Sequence, residues 1–440
     1  MLWLKNAEVV DPAQDLLALS DILVKDGKIL EISAFFSEET VRSRAGGEEI
    51  KIIDGRGRLL FPGLIDVHTH LREPGQEEKE DIASGAQAAV RGGFTSILAM
   101  ANTKPVVDRR ALVEFVIAQA KRAGLARVYP VAAVTKGMNG QELTEMIDLA
   151  QGGAVGFSDD GRGIQSAEVM RLALEYAKLT GLPLISHCED DDLAGGGIVH
   201  KGLASARLGL KGIPSCSESI MVARDLMLAE ETGGSLHLAH ISCKQSVDLI
   251  RQAKQKGLNV TAEVNPHHLI FCDENITLTA TSFKVNPPLR TADDREALLE
   301  ALLDGTIDML ATDHAPHTWE EKTRPFAEAP FGINGLETSL AAVWQYLVTT
   351  GKLPVRRLTE AWSLAPARRF NLAGGSLKPG QAADMVLFDP DCSATIKAED
   401  LASKSQNTPF LNQEFKGFPV MTWVGGCLVS QLTEKSGIMA

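Results

Sequence analysis

Eight short apolar runs recur through the middle of the chain, and each ends on polar residues. In order they are LIDVHTHL (64–71), TSILAMANT (95–103), RVYPVAAVT (127–135), GAVGFSDD (153–160), LPLISHCED (182–190), SLHLAHIS (235–242), NVTAEVNPHH (259–268) and IDMLATDHAPH (307–317). Between them lie amphipathic stretches with helical spacing, such as EDIASGAQAAVRG, RRALVEFVIAQAKRAG and SESIMVARDLMLAEETG, several of which stop at Gly. Eight strand-then-helix units predict a (β/α)8 TIM barrel. The two ends of the chain have a different texture. WLKNAEVVD, DILVKDGKILEIS with its Asp26-Gly27 hairpin turn, and EIKIIDGRGRLLF read as strands, as do SLKPGQAADMVLFDP and FPVMTWVGGCLVS near the other end. The expected organisation is therefore α/β. A catalytic barrel spans 56–370, and a small composite β-sandwich domain is assembled from 1–55 and 371–440.

Composition narrows the class. The chain has 440 residues, 44% of them hydrophobic and 23% charged, a balance that fits a globular enzyme of one large barrel plus a minor domain. The net charge of -13 argues against nucleic acid as a partner. It also means that an anionic substrate would need local positive charge at its site. No run approaches a membrane span, and MLWLKNAEVVDPAQD lacks the basic-then-apolar pattern of a secretory signal. The six cysteines are scattered without a CxxC pair, as expected for reduced thiols in a cytoplasmic protein.

The polar ends of the runs carry the chemistry, because the strand ends of a parallel barrel gather at one face. His68 and His70 form His-x-His, a spacing that turns both imidazoles to one side of a strand. Asp159 and Asp160 close run four, His187 run five, His240 run six, and Asp313 with His314 run eight. Each His alone is an ordinary polar residue. Four of them with two or three carboxylates at one barrel end, buried without metal, would need many partners. Imidazole and carboxylate suit zinc, with manganese or cobalt as substitutes. Their number exceeds what one ion needs, so two metals are expected.

FPGLIDVHTHLREPG, AMANTKP, GFSDDG, ISHCED, LAHIS, NPHHL, VNPPLR and ATDHAPH together resemble the amidohydrolase superfamily, and within it the bacterial dihydroorotases of the long, type I form. The resemblance covers essentially the whole chain. It implies two zinc ions bridged by Asp160 and a hydroxide. His68, His70 and Asp313 would hold one ion, and His187 and His240 the other. Hydantoinases and allantoinases use a carboxylated Lys as the bridge, whereas run four here ends in Asp159-Asp160. The choice of Asp160 over Asp159 follows the family register.

Arg72, two residues past His70, carries a fork suited to a carboxylate. Asn102 ends run two, where its amide can donate to the same group. Asn286, Phe331 and Gly332 lie in long connections able to close over a ligand, and His317 follows Asp313 by one short loop. The resemblance implies that these residues, with His70, contact substrate. It also implies a reversible reaction between N-carbamoyl-L-aspartate and dihydroorotate in pyrimidine biosynthesis, with Asp313 as proton carrier. His267 and His268, read as neighbours on a strand and so facing opposite ways, are expected to support the site without ligating metal. The rival readings are a related cyclic amidase acting on hydantoin, dihydropyrimidine or allantoin, and an inactive structural partner of aspartate carbamoyltransferase. A catalytic chain that also associates with that enzyme, or with copies of itself, fits the resemblance as well.

Overall fold

In the computed structural model, which describes residues 1–432, the terminal segments build one sheet. Strand β1 (Leu2–Asp11) lies antiparallel to β2 (Leu16–Lys25), and β2 to β3 (Lys28–Ser33). Asp26 and Gly27 both take positive φ, 51° and 74°, as a tight two-residue hairpin requires. β4 (Lys51–Asp54) and β5 (Leu59–Pro62) run parallel to β1.

The barrel strands follow: β6 (Leu64–Thr69), β7 (Phe94–Ala99), β8 (Arg127–Pro130), β9 (Phe157–Ser158) and β10 (Leu184–Ser186). An insertion carries the short parallel pair β11 (Val199–His200) and β12 (Gly212–Ile213). β13 (Leu236–Leu238), β14 (Val260–Val264) and β15 (Met309–Leu310) complete the set. All eight apolar runs thus contain a strand. β6-β7-β8 pair in parallel, as do β9-β10-β13-β14-β15. Parallel bridges Ala132↔Phe157 and Thr69↔His314 join the two sheets and close the barrel.

Ile65, Val67, Leu98, Met100, Val131, Ile185 and Met309 fill its interior. The larger apolar cluster lies between strands and helices, where Phe94 meets Trp362 edge to face at 5.6 Å. Such a pair adds about 0.5–1.5 kcal/mol beyond area burial. The helix Ile82–Arg91 after β6 starts on a capping box, with Asp81 accepting from Ser84 N at 2.7 Å and Ser84 Oγ accepting from Asp81 N at 3.1 Å.

β16 (Met385–Thr395), β17 (Glu414–Val424) and β18 (Cys427–Gln431) return to the terminal sheet, β16 pairing with β5. Two expectations change here. The terminal sheet reaches Pro62, beyond the boundary read at 55, because β5 bonds to β1 and β16 and not to the barrel. His267 and His268 sit on a short helix, Pro266–Ile270, and not on a strand. Their rings are 4.5 Å apart, and alternation does not separate them.

Candidate active site

β6 delivers His68 and His70 to the face where the strands end, with ring centroids 5.3 Å apart. His187 follows β10 and His240 follows β13, their rings 4.7 Å apart. Asp160, just past β9, sits among all four. Its Oδ1 lies 3.2 Å from His240 Nε2 and 3.4 Å from both His187 Nδ1 and His68 Nε2, while Oδ2 is 3.5 Å from His70 Nε2. Asp313, in the loop after β15, is 3.0 Å from His70 Nε2 and 3.6 Å from His68 Nε2. The donor atoms of His68, His70 and Asp160 fall within 4.8 Å of one another, and so do those of Asp160, His187 and His240. Two triads share one carboxylate.

The donor set fits divalent metal. All six side chains are buried, and His68 Nε2 points into the cluster without a hydrogen-bond partner. Burial pulls the His68 pKa down, but the charges of Asp160, Glu263 and Asp313 outweigh it and hold it well above the usual histidine value. Burial pushes Asp160 up, and His68 with the hydrogen bonds of His187 and His240 drives it well below the carboxylate range. For Asp313, burial is likewise overcome by His68 and His70, leaving it at about 2. The middle of this cluster is a place where positive charge is favoured.

A second layer orients these groups. Glu263 on β14, fully buried, takes His68 Nδ1 at 2.7 Å, His237 Nε2 at 2.9 Å and the backbone N–H of His240 at 3.2 Å. Bonding at Nδ1 fixes the His68 tautomer and leaves Nε2 for a metal. Asp66 accepts from the backbone of His68 at 3.2 Å and of Thr312 at 3.0 Å, tying β6 to the turn that presents Asp313 at φ 50°. Asp159 points away from the cluster and accepts from Val134 N at 2.8 Å and Thr135 N at 3.1 Å.

A cavity of about 310 Å³ opens over the cluster. His70, Arg72, Asn102, Asp160, His187, His240, Asn286, Asp313, His317, Phe331 and Gly332 line it, while His68 lies beneath. Arg72, buried and at φ 64°, donates from Nε to Pro316 O at 3.1 Å. Asn102 Oδ1 is 2.9 Å from His70 Nδ1, so this amide orients a cluster histidine as well as lining the cavity. His317 donates from Nε2 to Phe331 O at 2.8 Å; burial, then Arg72, Lys79 and Lys322, push its pKa down to about 3 and keep it neutral. Asn286 donates to Glu189 at 3.3 Å and keeps a buried Oδ1 without a partner.

A protein-family model described as "Dihydro-orotase-like" matches residues 57–246. A dihydroorotase of Pelotomaculum thermopropionicum is 48% identical over 430 residues, covering 98% of each chain, and one of Anaeromyxobacter dehalogenans is 48% identical over 433 residues with the same coverage. The chain belongs to the dihydroorotase family. Among solved structures, the L-hydantoinase (dihydropyrimidinase) of Arthrobacter aurescens superposes with a TM-score of 0.84 at 27% identity, over 98% of this chain and 96% of that one. The fold of this dihydroorotase-family chain is thus the barrel-plus-sandwich architecture of the cyclic amidohydrolases. Glu263, Asp66 and Lys322 escaped the sequence reading. The first two had a signal, a carboxylate in the middle of an apolar strand run, VTAEV and LIDV. Lys322 lies in a loop-rich stretch with none.

Proposed function

We propose that the chain interconverts N-carbamoyl-L-aspartate and (S)-dihydroorotate plus water, the ring-forming step of pyrimidine biosynthesis, as a hydrolase of cyclic amide C–N bonds using two zinc ions. The observation that carries this reading is the pair of triads sharing Asp160 beneath a cavity that holds a guanidinium. His68, His70 and Asp313 would hold one ion, His187 and His240 the other, and Asp160 both. Such a pair supplies an activated water and polarisation of the amide carbonyl when bound.

The rest falls to the chain's own groups. Arg72 and Asn102, with Asn286 and His317, bind the ring and its carboxylate and fix the amide above Asp313. In hydrolysis the Asp313 carboxylate takes a proton from the attacking water and gives it to the leaving ring nitrogen. In closure the same carboxyl returns it as the C–N bond forms. General acid-base help of this kind is worth about 10²–10⁴-fold. Phe331 and Gly332 roof the cavity and limit water. The cytoplasm as location, and aspartate carbamoyltransferase or a second copy as partner, belong to the same proposal; no helix among the described residues is long and apolar enough to cross a membrane.

Hydantoin and dihydrouracil, the rival ring substrates, carry no carboxylate for Arg72. Arg72→Met should raise the dihydroorotate KM roughly 10- to 100-fold, the loss of a charge-assisted contact. Any hydrolysis of an uncharged cyclic amide should suffer far less. Equal losses on both would make Arg72 a structural residue and favour the hydantoinase-type reading.

A further inference from the structure

Two buried lysines stand behind the roof of the cavity without a carboxylate partner. Lys322 ends the short helix Trp319–Lys322 and donates to Pro330 O and Gly332 O, both at 3.0 Å. Lys284 donates to Phe326 O at 2.8 Å and Ala327 O at 3.0 Å, and lies 5.0 Å from the centre of the Phe331 ring. Both are almost fully buried. Among the described residues no Asp or Glu oxygen comes within 4.0 Å of either ammonium. Glu321, the neighbouring acid, is engaged with Lys79 at 2.8 Å and accepts from Thr318 N at 3.2 Å. A buried charge with only carbonyl partners is costly, and the cost falls when a counter-charge arrives. Pro330, Phe331 and Gly332 line the substrate cavity on their other side.

We propose that Lys322 is a specificity-determining residue for the anionic substrate: its ammonium, braced against the cavity roof, is the long-range partner of the carboxylate held by Arg72. The inference rests on the dihydroorotase reading and deepens it. In a chain of net charge -13, Arg72, Lys79 and Lys322 make a local positive island around His317, with Lys284 beside Lys322 and Glu321 the opposing charge. The island is what an acidic protein needs to draw in an anion. Binding also couples to protons. Burial and then Lys284 lower the Lys322 pKa to about 7, with Glu321 opposing. The charged and titratable groups that act on it are Lys284, Glu321 and His317. Of these, His317 is neutral above about 3 and Glu321 is held below its ordinary value. An anion in the cavity favours protonated Lys322, so affinity should be highest where Lys322 is charged and should fall as pH rises through its pKa.

The test is the KM for dihydroorotate between about pH 6 and 9 in the metal-loaded wild type and in Lys322→Met and Lys322→Gln. The wild-type KM should rise roughly fivefold to tenfold across that range, from loss of one nearby charge. Both variants should sit near the wild-type high-pH value and lose that pH dependence. Lys322→Gln retains one donor to the roof carbonyls, so it guards against simple collapse of the loop. Variants that keep the wild-type pH profile of KM overturn the role of Lys322 while leaving the dihydroorotase reading intact. Absence of dihydroorotate turnover in the wild type overturns that reading and this inference with it.

Discussion

Asp159 and Asp160 are adjacent, both buried and both at the end of β9, yet they do different work. Asp159 is spent on Val134 and Thr135, in the loop after the preceding barrel strand, and burial raises its pKa. Asp160 faces four imidazoles. Asp160→Ala should therefore leave the protein folded but depleted of metal and inactive. Asp159→Ala should keep metal and cost about 1–3 kcal/mol of stability, the loss of an acceptor for buried backbone donors. Elemental analysis and denaturant titration of the two variants separate these outcomes, and a metal-free Asp159→Ala beside a metal-replete Asp160→Ala would reverse the assignment. Physics applied to the sequence alone could not choose between them. Successive residues at a strand end diverge, and which one turns inward depends on the register of a barrel that only the folded chain defines.

At the scale of elements, β14 contributes no metal donor and still governs the site. Glu263 is joined to His68, to His237 and to the backbone of His240, so a single strand position orients one member of each triad. Burial works against its ionisation, but His68 and His237 more than compensate and keep it a carboxylate. Glu263→Gln should weaken metal retention roughly 10- to 100-fold in a chelator competition, with the fold unchanged by circular dichroism. Retention equal to wild type would reduce Glu263 to a packing residue. The strands themselves were legible because their signal is local: apolar runs of the right length ending on polar residues, and His-x-His at a period of two. The His267-His268 pair was misplaced because a Pro266 helix start right after the strand looks, in sequence, like two more strand residues. Asn102 was legible as a site residue, but its bond to His70 was not, since that contact joins positions 32 apart in the chain.

Over the whole molecule, the composite β-domain is tied to the catalytic face through the segment between β16 and β17. Asn407 donates to Ala315 O at 3.1 Å and Gly332 O at 2.9 Å and accepts from His317 N at 3.2 Å, bracing two walls of the cavity from 75 to 92 residues downstream. Such contacts have no sequence signature because their partners are set by tertiary packing. The same segment rests on Glu337, which accepts from Ala402 N at 2.9 Å and Ser403 N at 3.1 Å. Burial raises the Glu337 pKa to about 7, against the opposing pull of those bonds and Arg91. A raised carboxyl pKa means that the folded state prefers the protonated form. Its stabilisation is full below the unfolded value and is lost as pH rises through about 7. Between about pH 5 and 8, wild-type stability should therefore fall relative to Glu337→Gln by up to about 3 kcal/mol. Parallel pH profiles of the two proteins would show that Glu337 is ionised throughout. The central claim, a two-metal dihydroorotase site built on a shared Asp160, is tested most directly by one titration. Metal-depleted protein is reloaded with zinc while dihydroorotate hydrolysis is followed by loss of the ring's absorbance. Turnover should climb to a plateau at about two ions per chain. A plateau at one ion, or hydrolysis of hydantoin with none of dihydroorotate, would contradict it.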